Sequence, residues 1–236
     1  MGFSTGLRFF KDGVLSAFRR PTLDYLLLPA LVSLVIVGAG LYFAIGYIDA
    51  LSTSIRSLSW WPEFLSFIVD PLLYLAGVLA AAWLFSFIAA VIGSPFYGYL
   101  SQKIDPLTNV APRPFWQEVL ASLKREWTKQ KYVLPRLLGV FFVGFIPVIN
   151  ILAPIIWLTY GGWLMAVQFS DYRFDNHGSD FRQALSKLRA NRSASIGLGV
   201  GITLGMSIPL LNFIMAPLAV VAATQYARAI AQPRKP

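Results

Sequence analysis

The chain contains no cysteine, and His177 is its only histidine. Without cysteine there is no disulfide framework, no thiolate metal site and no cysteine nucleophile. Charge is scarce too: 13% of residues are charged, about half the roughly 25% of soluble domains. No Walker loop, dinucleotide fingerprint or nucleophile–base pair occurs, so neither an enzyme nor a resident cofactor is expected. What remains is apolar, with 56% of residues hydrophobic and 15% aromatic. The composition is that of an integral membrane protein. The stretch Met1–Gly6 fits no signal peptide, because Lys11, Asp12, Arg19 and Arg20 interrupt any apolar core. It also misses the myristoylation pattern, which wants Ser or Thr at the sixth position.

Long uncharged runs set the organisation. Residues 3–20 read as an interfacial helix, with Leu7, Phe10, Val14 and Phe18 on one face and Arg8, Lys11, Arg19 and Arg20 supplying positive charge. Tyr25–Ile48 gives 24 uncharged residues, enough to cross a core of about 30 Å. A second uncharged run, Pro71–Gln102, predicts a transmembrane helix over 71–99. Within 103–131, Phe115, Val119, Leu120, Leu123 and Trp127 recur at helical spacing opposite Lys124, Arg125, Lys129 and Lys131. That pattern predicts an amphipathic helix on the cytoplasmic surface.

The last two uncharged runs, Leu137–Ser170 and Ser193–Ala227, hold 34 and 35 residues. Two spans and a turn need about 44, so each run is long for one crossing and short for two. Each also carries the same punctuation: Ile146-Pro147-Val148-Ile149-Asn150 before Ala153-Pro154, and Ile208-Pro209-Leu210-Leu211-Asn212 before Ala216-Pro217. Proline breaks helices, and broken backbone in hydrocarbon is tolerated only where protein or water satisfies it. Paired interruptions of this kind point to a transporter's binding region. The prediction is two re-entrant hairpins, 132–170 and 193–228, separated by a cytoplasmic segment over 171–192, with the returning half-helices beginning near Pro154 and Pro217. The predicted class is therefore an all-α integral membrane protein in one domain, with two long transmembrane helices, two re-entrant helical hairpins and amphipathic surface helices.

Charge fixes the orientation. Residues 49–70 hold one arginine against three acids, whereas 1–24, 103–136 and 171–192 hold four, seven and five basic residues. Basic segments stay cytoplasmic, which places both termini inside. The net charge of +9 serves this topology and attraction to anionic headgroups. A nucleic-acid partner is not expected, because the aromatics belong to membrane segments.

Candidate site residues follow from the hairpins. Half-helix N-termini attract anions, and Asn150 and Asn212 suit either turn formation or ligand binding. Lys124, Arg125, Lys131 and Arg136 lie at a hairpin entrance, where they either draw in an oxyanion or anchor to headgroups. Arg125 and Glu126 also offer each other an ion pair. Asp171, Asp175 and His177 fall within seven residues; the simpler reading makes them turn and loop contacts, and no metal site is expected. Neither hairpin nor Tyr25–Ile48 carries an Asp, Glu or Lys, so a proton relay inside the membrane is not expected. A competing reading is a membrane-organising scaffold whose hairpins wedge into one leaflet.

Leu123-Lys124-Arg125-Glu126-Trp127 with Tyr132-Val133-Leu134-Pro135-Arg136 resembles the CysZ family of bacterial sulfate permeases. So do Ser94-Pro95-Phe96-Tyr97-Gly98, Val167-Gln168-Phe169, Phe174-Asp175-Asn176-His177 and Ile208-Pro209-Leu210-Leu211-Asn212, in family order from about residue 6 to 228. The resemblance implies an inner-membrane protein admitting sulfate for cysteine biosynthesis, two long membrane helices, two hemi-penetrating hairpins and a homo-oligomer, dimer or higher. It also implies a sulfate-binding Gly-(Leu/Ile)-Arg-Arg turn before the first membrane helix. The aligned stretch here is Pro21-Thr22-Leu23-Asp24, leaving Arg19 and Arg20, or Gly6-Leu7-Arg8, to take that part. The candidate sulfate residues are thus Arg8, Arg19, Arg20, Lys124, Arg125, Arg136, Asn150 and Asn212.

Overall fold

The structure is a computed structural model that describes residues 1–17, 24–57, 63–106 and 115–232. Among the described residues every regular element is a helix: α1 (Phe3–Ala17), α2 (Asp24–Arg56), α3 (Glu63–Ile104), α4 (Phe115–Val143), α5 (Pro147–Asn150), α6 (Ala153–Asn176), α7 (Phe181–Ala190), α8 (Arg192–Met206) and α9 (Pro209–Ala231). Two compact units result, one from residues 1–29 and 94–236, the other from residues 30–93.

The smaller unit is built from α2 and α3, whose ranges enclose the predicted runs 25–48 and 71–99. Their polar contacts gather at one end. Arg56 pairs with Asp70, Ser52 donates to Asp70 Oδ1 at 3.3 Å, and the Tyr74 hydroxyl donates to Asp49. Gly77 lets Ile48 approach; a Cβ there would lie 2.6 Å from Ile48 Cδ1. Outward, Val35, Tyr42, Phe43 and Tyr47 on α2 and Phe67, Leu72, Leu75 and Leu79 on α3 are exposed. Apolar surface on this scale marks an interaction or membrane face.

The larger unit packs α1, α6, α8 and α9 around one core. Helix α1 enters it by its small-residue edge, burying Gly6, Gly13 and Ala17, with Phe9, Phe10 and Val14 alongside and Arg8, Lys11 and Asp12 exposed. A Cβ on Gly6 would lie 1.9 Å from Ala194 O, and one on Gly199 would lie 1.6 Å from Gly162 O. Small residues let helix backbones meet where close van der Waals fit drives association. Two pairs of buried hydroxyls meet inside: Ser195 Oγ lies 2.8 Å from the Tyr226 hydroxyl, and Thr224 donates to Ser101 Oγ at 3.0 Å. Within α9, Ile214–Ala231 is long and apolar enough to cross a membrane, and 61% of it is buried.

The two proline-bearing copies fold differently. In the first, a turn at Gly144–Ile146 precedes the single helical turn α5, a second turn follows at Ile151–Leu152, and α6 starts with Pro154 in its first turn, as expected. In the second, the helix begins at Pro209 and runs through Pro217, which corrects the expectation of a start near Pro217. Packing explains the difference. Met215, Leu218 and residues 219–224 are buried, which offsets the backbone bond that proline removes. Around the first copy Phe145, Ile151, Leu152 and Ile155 are exposed, so little holds a helix through the break. Helix α4, by contrast, runs unbroken past Pro135 and joins the charged stretch to the first uncharged run.

A polar seam between α4 and α6

Helix α4 is amphipathic, but its faces are reversed relative to a helix in water. Trp116, Leu120, Leu123 and Trp127 repeat every three or four residues and all are exposed. On the opposite side Ser122, Glu126 and Lys129 are buried. Polar groups inside and apolar groups outside is the arrangement that hydrocarbon surroundings select.

The buried side of α4 meets α6 in a ladder of polar contacts. Arg125 makes a two-pronged bond to Asp171, Nε to Oδ2 at 2.9 Å and the second prong at 2.6 Å, and donates to Ser179 O at 3.0 Å. Asp175 lies 3.6 Å from the same guanidinium. Burial alone would lower the Arg125 pKa, but the bond to Asp171 and the surrounding aspartates raise it above the usual arginine value. Lys129, also enclosed, pairs with Glu126, reaches Asp171 at 3.6 Å and lies 4.7 Å from the Tyr172 ring centre. Gln168 donates to Glu126 at 3.4 Å, and Trp163 donates to the Tyr132 hydroxyl at 3.0 Å. In place of the alternative pair between Arg125 and neighbouring Glu126 stand Arg125–Asp171 and Lys129–Glu126.

A second polar cluster surrounds Asp105, just beyond α3. Arg173 donates to Asp105 Oδ2 at 2.7 Å, His177 Nε2 lies 3.1 Å from that oxygen, and Arg228 Nε lies 3.8 Å from Oδ1. Burial would raise the Asp105 pKa, but Arg173 and His177 together hold it below the ordinary carboxylate value. The sequence cluster Asp171, Asp175 and His177 therefore divides: both aspartates face Arg125 and the histidine faces Asp105. Among the described residues no group of three potential ligands could hold a metal ion. Asn176 donates to Gly98 O at 2.9 Å, tying α6 to the end of α3.

The other candidates are dispersed. Arg8 is exposed on α1, Lys124 is exposed on α4, and Asn150 is exposed at the end of α5. Asn212 stands in the first turn of α9. Arg136 is exposed on α4, donates to Tyr132 O at 2.7 Å and stacks 3.9 Å from the Tyr132 ring centre. Arg19 and Arg20 lie outside the described residues. Sequence reasoning missed Glu126, Gln168, Tyr132 and Asp105 as site members. The signal was present for the first: Glu126 lies on the same helical face as Ser122 and Lys129.

Residues 9–217 match the family described as Sulfate transporter CysZ/Etoposide-induced protein 2.4. A relative from Pseudomonas fluorescens, Sulfate transporter CysZ, is 35% identical over 231 residues, covering 94% of this chain and 92% of its own. Its namesakes in Pseudomonas syringae pv. tomato and Vibrio cholerae are 34% and 32% identical, covering 94% and 93% of this chain and 91% of each relative.

Proposed function

Because this chain belongs to the family of sulfate transporter CysZ and etoposide-induced protein 2.4, we propose that it carries sulfate across a bacterial inner membrane. The observation that carries this reading is likeness over nearly the whole chain to relatives that bear that name. It is transport and not catalysis, and the sulfate admitted feeds cysteine biosynthesis. Helices α2 and α3 span the bilayer; at 33 and 42 residues they exceed the roughly 20 that a crossing needs. Their exposed aromatic and aliphatic side chains, and the outward stripe of α4, support a lipid surround.

The regions around α4–α6 and α8–α9 enter from the cytoplasmic side and return. Helix α8, 15 residues or about 22 Å, is too short to cross a core of about 30 Å, and its end at the Ser207 turn supports this arrangement. A homo-oligomer of such subunits forms a channel-like permease with both termini cytoplasmic. Reconstituted protein should take up labelled sulfate above empty vesicles. No flux at any pH or gradient overturns the reading, and vesicle reshaping without flux would point to a scaffold.

A further inference from the structure

The polar ladder between α4 and α6 changes character along its length. The helices run antiparallel, so later residues on α4 meet earlier ones on α6: Arg125 faces Asp171, Glu126 faces Gln168, and Tyr132 faces Trp163. One turn beyond Tyr132 and Trp163, Arg136 follows on α4 and Tyr160 on α6, at the four- and three-residue spacings that share a helix face. The first rungs hold carboxylates that occupy Arg125 and Lys129. The last rung holds a guanidinium and a phenol. Among the described residues no carboxylate pairs with Arg136, whose guanidinium is fixed by stacking on Tyr132 with one nitrogen committed to Tyr132 O. The Tyr160 hydroxyl oxygen is buried and has no hydrogen-bond partner among the described residues. The Tyr132 hydroxyl accepts from Trp163, which leaves its proton to give.

An orphaned buried hydroxyl is costly unless something accepts its proton, and the exposed Arg136 guanidinium has further donors to offer the same acceptor. We propose that Arg136, Tyr160 and Tyr132 form a seat for a tetrahedral oxyanion, an acceptor-only group such as sulfate or a lipid headgroup phosphate. With sulfate as occupant the seat deepens the transport reading and rests on it. Arg136 is open to its surroundings, so the seat binds weakly enough to release, as a conduction path requires.

The test uses the purified full chain in neutral detergent. Sulfate binding is measured by equilibrium dialysis for the wild type, Tyr160→Phe, Arg136→Gln and, as a control outside the seat, Arg189→Gln, an exposed residue of α7. Tyr160→Phe removes a single oxygen and serves as the variant that keeps the fold, checked by its melting temperature. The seat predicts about tenfold weaker binding in both seat variants and none in the control, since a hydrogen bond to a charged group contributes on that scale. A parallel arm measures co-purified phosphatidylglycerol. Its retention by the wild type and loss from both variants, without sulfate binding, keeps the seat and makes headgroup phosphate the occupant. Equal binding of both ligands in all proteins, or no binding of either by the wild type, overturns the seat. Sulfate flux separates the two readings: normal flux with insensitive variants removes the seat alone, whereas absent flux with variant-sensitive binding removes transport alone.

Discussion

Lys129 pairs with Glu126 one turn back on α4, with the two side chains 1% and 0% exposed. Each is the other's main compensation for leaving water, and Lys129 also faces Asp171. Lys129→Met should therefore strand carboxylate charge and cost about 3–5 kcal/mol, whereas Lys129→Met with Glu126→Leu should recover most of it, because an apolar pair can replace a buried ion pair. Thermal unfolding in detergent checks this; a single variant no worse than the double would refute it.

The close helix crossings make a second prediction. Gly199→Ala must displace the Gly162 backbone, since its Cβ would lie 1.6 Å from that carbonyl oxygen. Gly46→Ala meets nothing within 4 Å on a helix. The first should lower folded yield sharply, while the second should stabilise by up to about 1 kcal/mol through helix propensity. Folded yield by size-exclusion profile and melting temperature separates them.

Much of this was legible from the sequence. The first two uncharged runs lie in long helices, and Pro154 marks the helix start expected of it because a first turn needs no proline N–H. Pro217 misled because proline records only a missing donor; whether packing compensates is a property of the folded neighbours of α9. The stripe on α4 was also visible, but periodicity cannot tell which face turns inward. Its surroundings decide that, and here Glu126 and Lys129 went in. Asp171, 46 residues from Arg125, and Asp105, 68 from Arg173, became partners only through tertiary packing.

Asp105 predicts an acid limb. Its folded pKa is depressed, so it contributes stability that is present above its ordinary value of 3.8 and lost as pH falls through the lower folded value. Melting temperature should fall over that acidic window in the wild type. Asp105→Asn should be less stable at neutral pH and should flatten this part of the profile. An unchanged acid limb in the variant would show that Asp105 does not carry it.

The outward stripe of α4 gives a prediction that depends on the surrounding medium. Leu120 is exposed and on the opposite side from the buried Glu126–Lys129 pair. In water Leu120→Lys would be nearly neutral, because surface substitutions away from special features change stability by about 0.5 kcal/mol or less. In a bilayer the ammonium must leave hydrocarbon or draw in headgroups, at about 2.5–3.5 kcal/mol at the centre and less near the interface. Leu120→Lys should therefore leave detergent stability almost unchanged while reducing the fraction that inserts into liposomes. Leu120→Phe should insert normally. Equal insertion of the lysine variant would mean that this face of α4 meets water and not lipid.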